Sequence, residues 1–182
     1  MKYLGNCNDK INWNAVIEDC KLQEGNTNIF WEKLPVHNEV FEMIGKSWND
    51  AGIKNLDPAI EWTTYYCGKE LDMSLADKAG EVLNATPWYC WISRIRPGKL
   101  IPWHIDDRPT GHGDSIKVGE DVRVVIYIEP PTMGHISITE EACVYMPAQG
   151  DMYQWGSFSD WHGGINMGLV DKWQFNFWGF RK

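Results

Sequence analysis

The sequence has no apolar run near the roughly 20 residues that a membrane-spanning helix needs. Its opening stretch, MKYLGNCNDKINWNAVIEDC, turns polar within six residues and lacks the apolar centre of a signal peptide. Positive charge is scarce: 17 Lys and Arg stand against 25 Asp and Glu, for a net charge of −8 and a pI near 5.1. That balance argues against coating nucleic acid by neutralising phosphates. The five cysteines (Cys7, Cys20, Cys67, Cys90, Cys143) are odd in number and scattered, with no C-x-x-C. A disulfide framework or zinc ribbon is therefore disfavoured, and free thiols in a reducing compartment are expected. Internal repeats, low-complexity tracts and βαβ alternation are missing too, which disfavours a doubly wound parallel sheet. These absences point to an intracellular, cytoplasmic protein without a membrane or nucleic-acid partner.

What is present suits one folded unit. The chain has 182 residues, 43% hydrophobic and 23% charged, enough for a core, and a single domain over 1–182 is expected. Seven of the 11 tryptophans (Trp88, Trp91, Trp103, Trp155, Trp161, Trp173, Trp178) lie after residue 87; core filling is the default role for such large side chains. Residues 1–87 read as a helical part with one or more strands. Helices are expected at Ile11–Leu22, with Ile11, Ala15 and Leu22 as its stripe, at His37–Ala51, and at Ser74–Leu83, where Ser74 and Asp77 suggest a capping box. A strand is expected at Ile60–Cys67. From residue 88 to 182, short β-prone runs follow one another: Trp88–Arg96, Leu100–Ile105, Asp121–Ile128, His135–Ile138, Ala142–Tyr145, Asp151–Trp155 and Lys172–Phe180. Pro and Gly, including Gly163-Gly164, punctuate them. This texture predicts a sandwich or jelly-roll barrel. The stretch Asp107–Glu120, rich in glycine, is the longest without an element and a candidate lid or substrate determinant.

The sharpest local signal is His104-Ile105-Asp106. On a strand, residues i and i+2 share a face, so an imidazole and a carboxylate stand side by side. His162 supplies a third donor. Two His and one carboxylate hold one face of a metal and leave the other open, which suits non-haem Fe(II); catalytic zinc is an alternative, although the helical H-E-x-x-H arrangement is missing. His112-Gly113-Asp114 competes for the pair, but a glycine-rich loop orients ligands poorly. His37 and His135 have no carboxylate at strand spacing and read as ordinary surface or core histidines. Alternation adds a separate indication. Lys172, Gln174 and Asn176 fall on one face of their run, with Trp173, Phe175 and Phe177 on the other. A buried aromatic face would turn the polar one into a cavity. Arg123 likewise shares a face with Val125 and Tyr127.

From about Trp88 to Phe180 the sequence resembles the aspartyl/asparaginyl β-hydroxylase family of Fe(II)/2-oxoglutarate dioxygenases, which includes some proline hydroxylases. The resemblance is carried by Ser93-x-Ile95-x-Pro97-Gly98, His104-x-Asp106, Arg123 heading RVVIYIEP, Gly150-Asp151 leading to His162, and Gly163-Gly164-Ile165-Asn166. It implies a double-stranded β-helix, here mainly β with N-terminal helices (α+β). It also implies decarboxylation of 2-oxoglutarate to succinate, coupled to oxidation of a substrate by O2. His104, Asp106 and His162 match the iron ligands. Ser93 matches a hydroxyl contacting the distal carboxylate of 2-oxoglutarate, and Arg123 a basic residue near its iron-proximal side. Lys172 stands where the family usually has Arg, keeping the charge but losing the planar two-pronged contact. Val125 replaces a usual His, and the gap from Asp106 to Arg123 is longer than the pattern. An acidic rather than small residue at 106 argues against a halogenase.

The expected function is thus hydroxylation of an amino acid, a peptidyl residue or a small metabolite. Two other readings stay open. A cupin-like metal protein without 2-oxoglutarate would be insensitive to Lys172→Ala, and a non-catalytic jelly-roll binding module would bind no stoichiometric metal. Asn166 could orient His162 or simply belong to a turn. Trp103, Trp155 and Trp161 could wall the site, and Asp107 and Arg108 could face substrate; core packing and a solvated ion pair are the plainer roles.

Overall fold

The computed structural model describes residues 1–28, 59–104, 121–155 and 161–182. Their elements run β1 (Lys2–Asn6), α1 (Trp13–Lys21), β2 (Asn26–Asn28), β3 (Trp62–Tyr66), α2 (Met73–Leu83), β4 (Ala85–Ile95) and β5 (Leu100–His104). There follow β6 (Asp121–Tyr127), β7 (His135–Thr139), β8 (Cys143–Tyr145), β9 (Asp151–Gln154), β10 (His162–Asn166) and β11 (Lys172–Arg181). The expected helix His37–Ala51 lies outside the described residues.

The strands form two antiparallel sheets, one of seven strands in the order β1-β9-β6-β11-β4-β3-β2 and one of four in the order β5-β10-β7-β8. From β4 onward the chain crosses repeatedly between them: β4 in the large sheet, β5 in the small, β6 back, β7 and β8 across, then β9, β10 and β11 in alternation. Eight strands wound this way are a double-stranded β-helix, or jelly roll. β1 extends the large sheet at one edge, while β3 and β2 extend it at the other.

Alternation assigns the two faces of the large sheet. Trp173, Phe175 and Phe177 point outward into a core shared with Ile11, Trp13 and Ile17 and with Leu75, Ala76 and Ala79; the Trp13 and Phe175 rings lie 5.8 Å apart. Lys172, Gln174 and Asn176 point the other way, into the lumen, and are buried there. The polar face expected from the sequence therefore points inward, between the two sheets. A smaller apolar cluster of Val125, Tyr127, Val144 and Trp155 joins the two sheets across the lumen.

Several local expectations are corrected. In α1 the inward stripe is Trp13, Ile17 and Cys20, while Ala15 is exposed and Leu22 is 83% exposed. Asn12 caps the helix by accepting from the Ala15 N–H, so the turn starts two residues later than expected and the indole takes the inward place. In α2 the cap is Asp72, whose carboxylate accepts from the Ser74 N–H at 2.6 Å; Ser74 is already inside the first turn. Asn84 ends that helix in the left-handed region, at φ 49°. Pro87 lies within β4, opposite Gly179 where the register shifts, an irregularity that tolerates a missing N–H. Gly163 and Gly164 are not turn punctuation but the middle of β10. No helix among the described residues is long and apolar enough to cross a membrane.

Candidate metal centre and anion pocket

Two of the three expected metal ligands meet across a ladder. His104 ends β5 and His162 begins β10; they are register partners, with ring centroids 4.2 Å apart. The His104 Nδ1 lies 2.6 Å from the Pro102 carbonyl oxygen. A carbonyl can only accept, so Nδ1 carries the proton and Nε2 presents its lone pair. This is the second-sphere arrangement that fixes the tautomer of a metal-binding histidine. His162 is 5% exposed and meets the edge of the Trp155 ring, centroid to centroid 4.3 Å. Trp155 also belongs to the apolar cluster with Val125, Tyr127 and Val144, and Trp103 and Trp161 stack on each other at 6.5 Å and 10°. Asp106 lies outside the described residues, as do Asp107, Arg108, the competing His112 and Asp114, the rest of the Asp107–Glu120 loop, and His37. Among the described residues no three His, Cys, Asp or Glu side chains cluster.

Below the histidines the lumen holds a cation. The Lys172 side chain is fully buried, and its ammonium donates to the Ile136 carbonyl at 2.6 Å and the Ser137 hydroxyl at 2.7 Å. Both acceptors are neutral. Burial pushes the Lys172 amine down to about 8, a fall partly opposed by the negative charge of Glu129. The same burial raises the hydroxyl of Tyr127, beside Ser137.

The glycines of β10 make room for this cation. A Cβ on Gly164 would meet the Lys172 Nζ at 3.3 Å and the Ile95 Cδ1 at 3.2 Å. His162 and Gly164 share the inward face, two residues apart, so the ammonium sits about 7 Å along the strand from the metal-ligand position.

Ser93, in register with Gln174, is buried beside this pocket. Its hydroxyl accepts from the Trp91 Nε1 at 3.1 Å and the Asn176 Nδ2 at 3.1 Å. Arg123 is also buried, its guanidinium between the Trp155 ring at 5.3 Å and the Trp178 ring at 5.1 Å. The structure therefore brings His104, His162, Lys172, Ser93 and Arg123 to one lumen. Asn166 serves the turn: its amide donates to the carbonyls of Ile95 and Val170, and its oxygen accepts from the Gly168 N–H.

Sequence reasoning gave no role to Ser137 or Glu129. Alternation of His135 and Ser137 against Ile136 and Ile138 was the available signal for Ser137. Glu129 is followed by two prolines and has the look of a loop residue. The four inner cysteines sit in apolar surroundings, and burial pushes their thiols up to about 11 at Cys7 and about 12 at Cys20, Cys67 and Cys90. They remain protonated thiols at neutral pH.

The fold and this lumen define a jelly roll with a histidine pair at one level and a buried cation at the next. No family model matches the chain, and no curated protein sequence does either. Among solved structures, a viral collagen prolyl hydroxylase from Paramecium bursaria Chlorella virus-1, in a 2OG complex, aligns at 14% identity and TM-score 0.47, covering 100% of this chain and 95% of that one. An oxidoreductase of the 2OG-Fe(II) oxygenase family from Burkholderia pseudomallei aligns at 13% identity and TM-score 0.43, covering 90% of each chain. A predicted oxalate decarboxylase from Thermotoga maritima aligns at 11% identity and TM-score 0.39, covering 66% of this chain and 81% of that one. The fold assignment rests on the strand order itself.

Proposed function

We propose that the protein is an Fe(II)- and 2-oxoglutarate-dependent dioxygenase that hydroxylates an amino acid, a peptidyl residue or a small metabolite. The observation that carries this reading is Lys172. A fully buried ammonium whose partners among the described residues are two neutral oxygens is costly unless an anion completes it, and no carboxylate among those residues forms an ion pair with it. The pocket therefore suits the distal carboxylate of an acid whose other end reaches the metal-ligand level. 2-Oxoglutarate has that shape, with two methylenes between its keto carbon and distal carboxylate.

The residues present fit an iron centre. His104 presents Nε2, held by its Nδ1–H bond to Pro102, and His162 stands opposite it; Asp106 is assigned as the third ligand on the motif alone. The chemistry supplied by iron there is the coupled oxidation of 2-oxoglutarate and substrate by O2. Lys172 would bind and orient the acid, with Ser93 contributing its hydroxyl. Arg123 would face the iron-proximal side, and Trp155 would hold the His162 ring and keep water away from it. Within the dioxygenases, the resemblance to the aspartyl/asparaginyl β-hydroxylases rests on the motif residues, and Lys172 and Val125 depart from that branch.

Calorimetric titration under nitrogen tests this in two stages, Fe(II) first and 2-oxoglutarate second. His162→Ala should abolish the first binding event, and Lys172→Ala should abolish only the second. Metal binding with wild-type 2-oxoglutarate affinity in Lys172→Ala would overturn the assignment.

A further inference from the structure

β10 runs from the metal-ligand level to the opposite end of the barrel, and that end exposes apolar side chains. Met133 is 73% exposed, Met167 72% and Leu169 94%, with Val170 more than half open to solvent. They stand on two connections, β6 to β7 and β10 to β11, that are bonded into one platform. The Met167 N–H donates to the Gly134 carbonyl at 2.8 Å, and a Cβ on Gly168 would meet the Met133 carbonyl at 2.5 Å. The Val170 carbonyl accepts from the Asn166 amide at 2.8 Å and from the His135 Nε2 at 3.1 Å. The platform is therefore held in one shape, so little ordering entropy is lost when it is covered. Contiguous apolar patches of roughly 300–600 Å² on a soluble chain are often functional.

Beside the platform lies a groove of about 560 Å³, lined by α1 together with Leu169 and Val170. Ile17, Pro97, Pro130 and Trp173 give it apolar surface. Its acids are already engaged. Asp171 pairs with Arg94 at 2.7 Å, and Glu129 is held by His135 and the Trp173 N–H. Glu18, at the rim, pairs with Lys21 of its own helix at 2.7 Å. The groove accordingly suits an apolar side chain rather than a small charged ligand.

A projecting leucine beside an apolar groove is self-complementary. About a two-fold axis, the Leu169 of each copy enters the groove of the other, as an isologous interface requires. The rim has the same property, since Glu18 and Lys21 can exchange partners between copies. The chain as a whole carries −8 and is repelled by an anionic surface, whereas one acid and one base cancel at this rim. A standard interface takes about 800 Å² from each partner, and platform and groove together, from Met133 to α1, are of that order. We propose that this face docks a second copy of the chain, in a two-fold dimer whose metal-ligand ends point away from the contact. The dimer does not rest on the dioxygenase reading.

Sedimentation velocity on the full chain tests this from about 1 to 100 µM, the range in which an interface of modest affinity dissociates. The expected mass at the upper end is twice the 21.0 kDa of one chain. Leu169→Glu should weaken association roughly thirtyfold or more, as loss of a central hot spot does, with an unchanged circular dichroism spectrum. Lys21→Glu and Glu18→Lys should each weaken it at low salt by placing like charges opposite one another. An equimolar mixture of those two variants should restore a dimer that contains one of each. Wild type at 21.0 kDa throughout would overturn the proposal, and so would a dimer that Leu169→Glu leaves intact. If Leu169→Glu does not fold, the charge exchange decides. Single variants as dimeric as wild type, or a mixture no more dimeric than either alone, would overturn the two-fold pairing. A monomer that floats with phosphatidylcholine vesicles, and stops doing so in Leu169→Glu, would overturn it in favour of a lipid surface.

Discussion

Lys172 concentrates the tension between stability and function in one side chain. Its folded-state amine titrates near 8, against about 10.4 for an unfolded lysine. Between those values the unfolded chain binds more protons, so stability should rise with pH from about 8 to about 10. Below pH 8 both states are protonated and the full penalty, on the order of 3 kcal/mol, is present. Lys172→Met fills a similar volume without charge. It should raise the ligand-free melting temperature at pH 7, flatten the rise above pH 8, and abolish 2-oxoglutarate binding. Thermal melts across pH check the first two and calorimetry the third; a melting temperature below wild type would show that the lysine is a net support of the fold. Lys172 was legible through the family resemblance, which places a cation at its position, and through its polar strand face. Glu129 was not legible, because its burial exists only once β6, β7 and β11 converge on it.

β10 shows how one element serves both levels of the lumen. Its first residue faces the metal level, its third leaves space for an ammonium, and its fifth, Asn166, pins the turn into β11. Gly164→Ala should displace Lys172, since a Cβ there meets the Nζ at 3.3 Å. Affinity for 2-oxoglutarate should fall about tenfold, the scale of one lost charged hydrogen bond, with metal affinity within twofold of wild type. Equal losses of both would mean that the substitution deforms the whole strand. A glycine pair reads in sequence as a turn; in the strand, Gly164 leaves room for the Lys172 ammonium and Gly163 for the Ile101 carbonyl, which a Cβ would meet at 3.2 Å. β1 and β2 escaped notice for a different reason: they are polar edge strands with little buried surface and hence no alternating pattern. The strands β4 to β9 and β11 were legible because each has a core-facing side.

At the scale of the molecule, the large sheet separates an apolar core under the helices from a polar lumen. The two should respond separately to mutation. Trp13→Ala removes a buried ring against Phe175 and should cost about 3–5 kcal/mol in urea unfolding. Metal and 2-oxoglutarate affinities of the folded variant should stay near wild type, and a large loss of either would show that the helical cover shapes the lumen.

The most direct measurement is an anaerobic titration of Fe(II) and 2-oxoglutarate followed in the visible range for a metal-to-ligand charge-transfer band. The band should appear only when both are present, saturate at one equivalent of each, and vanish in Lys172→Ala and His162→Ala. Iron that binds without the band would contradict 2-oxoglutarate chelation and leave a cupin-like metal protein. No iron binding at all would contradict the metal centre itself.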